Sequence, residues 1–206
     1  KLSHSKVCYF RFSLVSVLIG MRQSSASLVL ALVVSVSAQS PSFGRCPEIK
    51  PIDGFNITRF MGKWYEQLSY FNFLELGLGC ISENFNLINK TTFQVTRTST
   101  NQLTGRKAKS SRSGQLVNSQ NDLARFRMLP ENTERSEADH IVIDTDYSTY
   151  GLVWSCNDYP IINVQRLWIL TRDREVSETE LSALRQELRN FGLDVGRLKT
   201  TDQKNC

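Results

Sequence analysis

The stretch FMGKWYEQ (residues 60–67) places a glycine two positions before a tryptophan, at the start of an alternating segment. Seven further segments follow, most of them with period-two alternation or with many β-branched and aromatic residues, and turn-forming residues separate them. The eight segments are KWYEQLSYF, CISENFNLI, TFQVTRTST, RKAKSSRSGQLV, LARFRML, HIVIDTDY, TYGLVWSC and VQRLWILTR. This order predicts an all-β, up-and-down antiparallel sheet, either a barrel or a sandwich.

One amphipathic helix is predicted after the last strand. Ser177 and Glu180 match a capping box, in which each side chain bonds the other residue's backbone N–H. The apolar stripe that follows consists of Leu181, Leu184, Leu188 and Phe191. Because this stripe needs an apolar surface, we expect it to cover the outer face of the last strand at Leu167 and Ile169. Trp168 then faces the interior.

The N-terminal part has the pattern of a secretory signal. Met21 is followed by Arg22, an apolar run of about eleven residues and the small-residue sequence before Gln39. That run is shorter than the roughly twenty residues that span a bilayer. We expect a signal peptide at 21–38, an upstream translated segment at 1–20, which lacks methionine, and one domain at 39–206. An N-terminal membrane anchor is the alternative.

The charge of the chain does not indicate a nucleic-acid partner. The full sequence carries a formal charge of +5, but residues 1–38 contain four of the 25 basic residues and no acidic one. The remaining 21 basic and 20 acidic residues leave a charge of +1. The basic character therefore lies largely in the segment that we expect to be removed.

The cysteines and sequons fit an extracellular, secreted protein. After removal of the signal, four cysteines remain, Cys46, Cys80, Cys156 and Cys206, which most simply form two disulfides in one of three pairings. Asn56 and Asn89 lie in glycosylation sequons. His140 is then the only histidine, and no clustered ligands suggest a metal site.

Polar residues on the predicted inner face favour a cavity over a solid core. If the second and third strands turn near Asn89, Glu83 lies opposite Arg97. An apolar wall with a few polar anchors is typical of a ligand pocket. The candidate contacts are Glu83, Phe85, Val95, Arg97, Phe126 and Trp168. A one-residue slip would put Glu83 and Arg97 on the surface, and core packing alone would also account for Trp168.

The link between the first two strands is unusually apolar. This mouth loop, residues 71–78, contains Phe71, Phe73, Leu74 and Leu76. Loops normally expose polar residues, so the pattern predicts a cap over the cavity or a contact with lipid. Packing of the loop onto the rim is the alternative.

Three motifs in this order resemble the signatures of the lipocalins. They are Gly62-Lys63-Trp64, then Thr145-Asp146-Tyr147, then Arg172 at the end of the last strand. The resemblance covers residues 45–206 and is greatest to the branch of apolipoprotein D, bilin-binding and Lazarillo-like proteins. It implies an eight-stranded antiparallel barrel with the helix outside, and a closed end where Trp64 lies beneath Arg172. It also implies the pairs Cys46–Cys156 and Cys80–Cys206.

The resemblance further implies a secreted carrier of a small hydrophobic ligand. The expected ligand is a fatty acid, retinoid, sterol or bilin, bound non-covalently and without another cofactor. Lipid handling like that of apolipoprotein D, with protection against oxidative stress, is the expected role. The alternatives are a pigment carrier for biliverdin or a carotenoid, and a protein that contacts lipid surfaces or lipoprotein particles through residues 71–78.

Some positions depart from the family pattern. Phe85 replaces a tyrosine of apolipoprotein D, Arg97 replaces an asparagine, and His140-Ile141 replaces Tyr-Trp. An interior Arg97 would favour an acidic ligand. An enzyme is not expected, because the four cysteines match disulfide positions and His140 alone supplies no Ser-His-Asp set.

Overall fold

The computed structural model describes residues 40–118, 122–129 and 138–206. The expected upstream segment at 1–20 and signal peptide at 21–38 lie outside these residues. Within the described part, no helix is long and apolar enough to cross a membrane.

Eight antiparallel strands form a closed barrel, as predicted. They are β2 (Gly62–Tyr70), β3 (Leu78–Leu87), β4 (Thr92–Asn101), β5 (Lys107–Asn118), β6 (Asp122–Met128), β7 (His140–Thr145), β8 (Tyr150–Asp158) and β9 (Ile162–Thr171). Each strand pairs with the next along the chain, and pairing of β9 with β2 closes the barrel. Closure excludes the sandwich, because a closed sheet has no free edge between its first and last strands.

Two short strands extend the sheet beyond the predicted eight. β1 (Ser40–Phe43) pairs with β9, and β10 (Leu198–Thr200) pairs with β2. A four-residue helix, α1 (Ile57–Phe60), precedes β2. These elements are too short for a periodic pattern in the sequence to reveal them.

The long helix α2 (Glu178–Asn190) packs on the outer face of the barrel, as predicted. Ser177 caps it, and both bonds of the capping box with Glu180 are present. Leu181 and Leu188 share a buried cluster with Leu167 and Ile169 of β9. A second cluster fills the barrel interior, so β9 has one face under the helix and the other inside.

The closed end of the barrel is formed by the three signature motifs. The Arg172 guanidinium lies 3.6 Å from the centre of the buried Trp64 ring. Gly62 has φ +97°, a conformation that favours glycine, and a Cβ there would lie 3.2 Å from Nη1 of Arg172, which is a tight contact. The turn formed by Thr145, Asp146 and Tyr147 has Tyr147 at φ +69° and brings its carbonyl within 3.0 Å of Nε of Arg172.

The two disulfides have the pairing that the family resemblance implied. Cys46 joins Cys156, and Cys80 joins Cys206. The second bond holds the C-terminal segment against β2 and β3. There, Nε2 of Gln203 donates to the carbonyls of Glu66 and Ile81 at 2.8 and 2.7 Å.

Candidate ligand-binding cavity

A cavity of about 90 Å³ lies inside the barrel, above the aromatic core of the closed end. Its lining residues are Glu83, Val95, Arg97, Ser110, Arg112, Phe126, Met128, His140, Val153, Trp168 and Leu170. Five of the six predicted contacts are among them. The predicted inward orientation of these five side chains is therefore confirmed, while their contact with a ligand stays a prediction.

Phe85 is the exception among the six. Its ring lies 5.5 Å from that of Phe60 and 5.9 Å from that of Phe93, within the core of the closed end. Phe85 does face inward, as expected, but it lies too deep in the barrel to line the cavity. Strand alternation predicts the face on which a side chain lies and not its depth along the barrel.

One wall of the cavity is a stack of three rings that the sequence did not predict as a unit. The His140 ring lies 5.3 Å from Phe126 on one side and 5.3 Å from Trp168 on the other, at interplanar angles of 12° and 23°. Burial lowers the pKa of His140 to about 3, with the positive charges of Arg166 and Arg112 acting in the same direction. The imidazole is therefore neutral near pH 7, and its buried Nδ1 has no hydrogen-bond partner among the described residues.

His140 is a site residue that the sequence reasoning missed. A signal was present, because β7 alternates between His140 and Val142 on the inside and Ile141 and Ile143 on the outside. Phe126 and His140 are register partners on β6 and β7, which fixes their side chains next to each other on one face.

The predicted pairing of Glu83 with Arg97 is confirmed. The two residues are cross-strand partners on β3 and β4, and Nη1 of Arg97 lies 3.4 Å from Oε1 of Glu83. Two further carboxylates that the sequence did not suggest also reach Arg97. Its Nη2 lies 3.5 Å from Oε2 of Glu66 on β2 and 2.5 Å from Oε1 of Glu75 in the mouth loop. Arg97 and the three glutamates, Glu66, Glu75 and Glu83, together form the carboxylate cluster.

The carboxylate cluster changes the ligand chemistry expected at Arg97. Burial raises the pKa of Glu66 to about 7, although the positive charge of Arg97 opposes this shift. Burial also raises the pKa of Glu83. Arg97 already faces three carboxylates, so its positive charge is balanced before any ligand binds. The structure therefore does not support the expected preference for acidic ligands.

The mouth loop is exposed rather than packed onto the rim. Phe73, Leu74 and Leu76 are 57%, 79% and 67% exposed, and Phe71 is partly exposed. Phe73–Glu75 form one turn of 3₁₀ helix, and this turn directs Glu75 towards Arg97. Glu75 thus reaches inward, while Phe73 and Leu74 face solvent.

Both sequons lie on the surface. Asn56 is exposed and caps α1 by accepting a bond from the N–H of Arg59 at 3.1 Å. Asn89 is exposed in the turn between β3 and β4 and accepts from the N–H of Thr91 at 2.9 Å. Glycosylation at these positions stays a prediction.

Among the described residues, no group of acidic, cysteine or histidine side chains is arranged to hold a metal ion.

Comparison with known proteins agrees with this architecture. The sequence model of the lipocalin / cytosolic fatty-acid binding protein family matches residues 61–205. Apolipoprotein D of Cavia porcellus is 27% identical over 194 residues, which cover 91% of this chain and 97% of that protein. Bilin-binding protein of Pieris brassicae is 46% identical over 48 residues, 23% of this chain and 25% of that protein.

A solved structure shows the same fold. Insecticyanin from the tobacco hornworm Manduca sexta superposes with a TM-score of 0.68 at 18% identity, covering 80% of this chain and 89% of that one. The family match extends over most of the chain and includes the closed end with Gly62, Trp64 and Arg172. The chain therefore belongs to the lipocalin family.

Proposed function

We propose that this protein is a secreted carrier that binds and transports a small hydrophobic molecule in the barrel cavity. The observation that carries the proposal is the stacked wall of Phe126, His140 and Trp168, which offers a flat apolar surface on one side of the cavity. Concave apolar sites with a few polar groups are typical of small-molecule binding. The two disulfides and the exposed sequon residues Asn56 and Asn89 support the secreted location.

The proposed activity is binding without catalysis. All four cysteines of the described residues form disulfides, which leaves no thiol nucleophile among them. His140 stacks between two rings, and the described hydrogen bonds connect it to no serine hydroxyl or carboxylate. A nucleophile and base pair of the kind used in acyl transfer is therefore absent from the described part of the site.

The ligand classes that we propose are retinoids, sterols, bilins and fatty acids. The apolipoprotein D and bilin-binding relatives support lipid and pigment ligands. Protection against oxidative stress is the proposed physiological role. The carboxylate cluster favours the uncharged members of this set over free acids. A pigment carrier for biliverdin or a carotenoid is expected to be coloured when isolated from its natural source.

Tryptophan fluorescence tests the carrier function. Retinol or a bilin in the cavity absorbs where tryptophan emits, so saturable quenching is expected in the wild type. Trp168 lines the cavity, whereas Trp154 lies in the cluster beneath the helix. Trp168→Phe should weaken the ligand-dependent quenching more than Trp154→Phe, the matched control, does. Absence of saturable quenching by retinol, a bilin and a sterol analogue would contradict the proposal.

A second role at a lipid surface or lipoprotein particle is favoured by the mouth loop. Its residues Phe73, Leu74 and Leu76 expose apolar side chains at the open end, and such patches mark interaction sites. Phe73→Ser with Leu76→Ser should abolish association with phosphatidylcholine vesicles in a flotation assay. Ile88→Ser removes a side chain of 60% exposure in the turn between β3 and β4 and serves as the control. Unchanged flotation of the loop variant would exclude this role.

A further inference from the structure

A second pocket lies beside the cavity, in the wall of the barrel. β2 and β3 pair only over Gly62–Tyr65, and towards the open end β2 pairs with β10 instead. The gap between β2 and β3 contains a pocket of about 320 Å³. This outer pocket is bounded by residues that include Glu66, Ser69, Glu75, Leu76, Thr200 and Thr201.

The carboxylate cluster separates the outer pocket from the cavity. Arg97 and Glu83 line the cavity, and Glu66 and Glu75 line the outer pocket. The guanidinium of Arg97 contacts both of the latter, so its side chain lies at the boundary between the two spaces. A movement of this one side chain, or of the mouth loop that carries Glu75, would join them.

The sizes of the two spaces indicate that they serve one ligand. Pockets for drug-sized ligands measure about 300–1,000 Å³. The cavity alone, at about 90 Å³, is below this range, whereas the cavity together with the outer pocket of about 320 Å³ falls within it. A ligand of ordinary lipid size therefore has to occupy both.

Both spaces are lined by a mixture of apolar and polar side chains. The cavity offers the apolar side chains of Val95, Phe126, Met128, Val153 and Leu170, which suit a hydrocarbon tail. The outer pocket also has an apolar part, formed by Phe71, Leu76, Leu78 and Ile81. Its polar groups are the hydroxyls of Ser69, Thr200 and Thr201 and the carboxylates of Glu66 and Glu75. Because the carboxylates of Glu66 and Glu75 lie on the side of the outer pocket, an amphiphile that fills both spaces would place its head beside them and extend its tail into the cavity.

Glu66 determines which head group is suitable. Its side chain is 1% exposed, Oε1 accepts bonds from Ser69 and Thr201 at 3.0 and 2.7 Å, and Oε2 accepts none from the described residues. Oε2 has only the ion pair with Arg97 at 3.5 Å, so a hydrogen-bond donor from a ligand would satisfy it.

The charges around the cluster disfavour an acidic head group. A fatty-acid carboxylate would be repelled by Glu66 and Glu75. The other positive groups are Arg112, on the Glu83 side of the cluster, and Lys199, which is exposed at the edge of the outer pocket. An uncharged hydroxyl head meets no such repulsion.

We propose that the cavity and the outer pocket form one two-compartment site for a single-chain amphiphile with an uncharged, hydroxyl-bearing head that donates to Glu66. The inference rests on the proposed carrier function and specifies the class of ligand. The tail lies against the stacked wall, and the head lies between β2, the mouth loop and β10.

Calorimetric titration of the disulfide-bonded protein at pH 8 tests the inference with three probes. 1-Monolauroylglycerol and laurate share one tail and differ in the head, and 1-hexanol is a short probe for the cavity alone. Wild type should bind the monoacylglycerol at least about tenfold more tightly than laurate, because the hydroxyl hydrogen bond replaces charge repulsion. Titrations below the micelle concentration keep the probes monomeric.

Two variants fill the outer pocket from opposite walls. Thr200→Trp and Leu76→Trp should each weaken binding of the monoacylglycerol about tenfold or more and leave hexanol binding unchanged, because the cavity is not altered. Thr179→Trp, on the exposed surface of α2, makes the same change away from the pocket and should have no effect.

The outcomes separate the two proposals. Unchanged monoacylglycerol binding in both pocket-filling variants, or tighter binding of laurate in the wild type, would overturn the two-compartment site and leave the carrier function standing. Failure of every apolar probe to bind, including hexanol and the fluorescent ligands, would overturn the carrier function itself.

Discussion

The guanidinium carbon of Arg172 lies 3.6 Å from the centre of the Trp64 ring system, and the nitrogens of the same side chain donate to five backbone carbonyls. The acceptors belong to Arg59, Phe60, Met61, Lys63 and Tyr147. One side chain at the end of β9 thus joins the segment before β2, the start of β2 and the turn before β8. The closed end depends on the forked shape of the guanidinium as well as on its charge.

Replacement of Arg172 tests this dependence. Arg172→Lys keeps the charge but satisfies fewer carbonyls and loses the planar stack on Trp64, so the free energy of unfolding should fall by about 2–3 kcal/mol. Urea unfolding monitored by tryptophan fluorescence measures the change. Arg189→Lys, at the exposed end of α2, is the matched control and should change the value by less than about 0.5 kcal/mol. Equal effects of the two variants would show that charge alone matters at Arg172.

The Cys80–Cys206 disulfide should stabilise the C-terminal segment as well as the whole fold. The bond spans 126 residues, and Thr201 N–H in the attached segment donates to the carbonyl of Gln67 at 2.9 Å. Cys80→Ala with Cys206→Ala should lower the free energy of unfolding by about 2–4 kcal/mol. Hydrogen exchange of the Thr201 amide should accelerate by more than the loss of global stability predicts, because the C-terminal segment can then detach locally.

Removal of the other disulfide provides the comparison. Cys46→Ala with Cys156→Ala opens a bond that spans 110 residues, a similar length, and should cause a similar global loss. It should not accelerate exchange at Thr201 beyond that loss. Equal acceleration at Thr201 in both double variants would contradict the local role of Cys80–Cys206.

The strands, the helix and the Glu83–Arg97 pair could be predicted because each depends on residues close in sequence or across one hairpin. Alternation identified the inner face, and the capping box identified the helix start. The contacts of Arg97 with Glu66 and Glu75 could not be predicted in this way. Glu66 and Arg97 lie on β2 and β4, which are not neighbouring strands, so the register of one hairpin does not place them together. Glu75 reaches Arg97 because one 3₁₀ turn orients it.

The position of a side chain along the barrel axis could not be predicted from the sequence either. Phe85 and Glu83 alternate on the same face of β3, yet Phe85 pairs with Gly62 near the closed end, while Glu83 lies one step higher at the cavity. The depth of a residue depends on where the floor of the barrel lies. That floor is formed by α1 and Trp64, whose packing involves residues distant in the chain.

Glu66 should make the protein less stable as pH rises. Its folded pKa of about 7 lies above its ordinary value of 4.5, so the stability that its protonated form provides is complete below pH 4.5 and is lost as pH rises through 7. Glu66→Gln keeps an oxygen for Ser69 and Thr201 and removes the titration. From pH 5 to pH 8, the free energy of unfolding measured in urea should fall by about 1–3 kcal/mol more in the wild type than in this variant.

The control for Glu66 is an exposed carboxylate. Glu178→Gln, at the start of α2, changes a group that is 74% exposed and should leave the difference between pH 5 and pH 8 close to that of the wild type. A wild type and a Glu66→Gln variant with identical pH dependence would show that Glu66 titrates in the ordinary range in the folded protein.

His140 should have the opposite effect on the pH dependence. Its folded pKa of about 3 lies below its ordinary value of 6.5, because the buried ring is desolvated and Arg166 and Arg112 disfavour the imidazolium. The stability from its neutral form is complete above pH 6.5 and is lost as pH falls towards 3. His140→Phe keeps the stack with Phe126 and Trp168 and cannot be protonated. From pH 7.5 to pH 5, the free energy of unfolding should therefore fall by about 2 kcal/mol more in the wild type than in the variant. In the wild type, the Cε1–H resonance of His140 should not shift between pH 8 and pH 5, and a titration midpoint near 6.5 would show that the imidazole is hydrated rather than stacked inside the cavity.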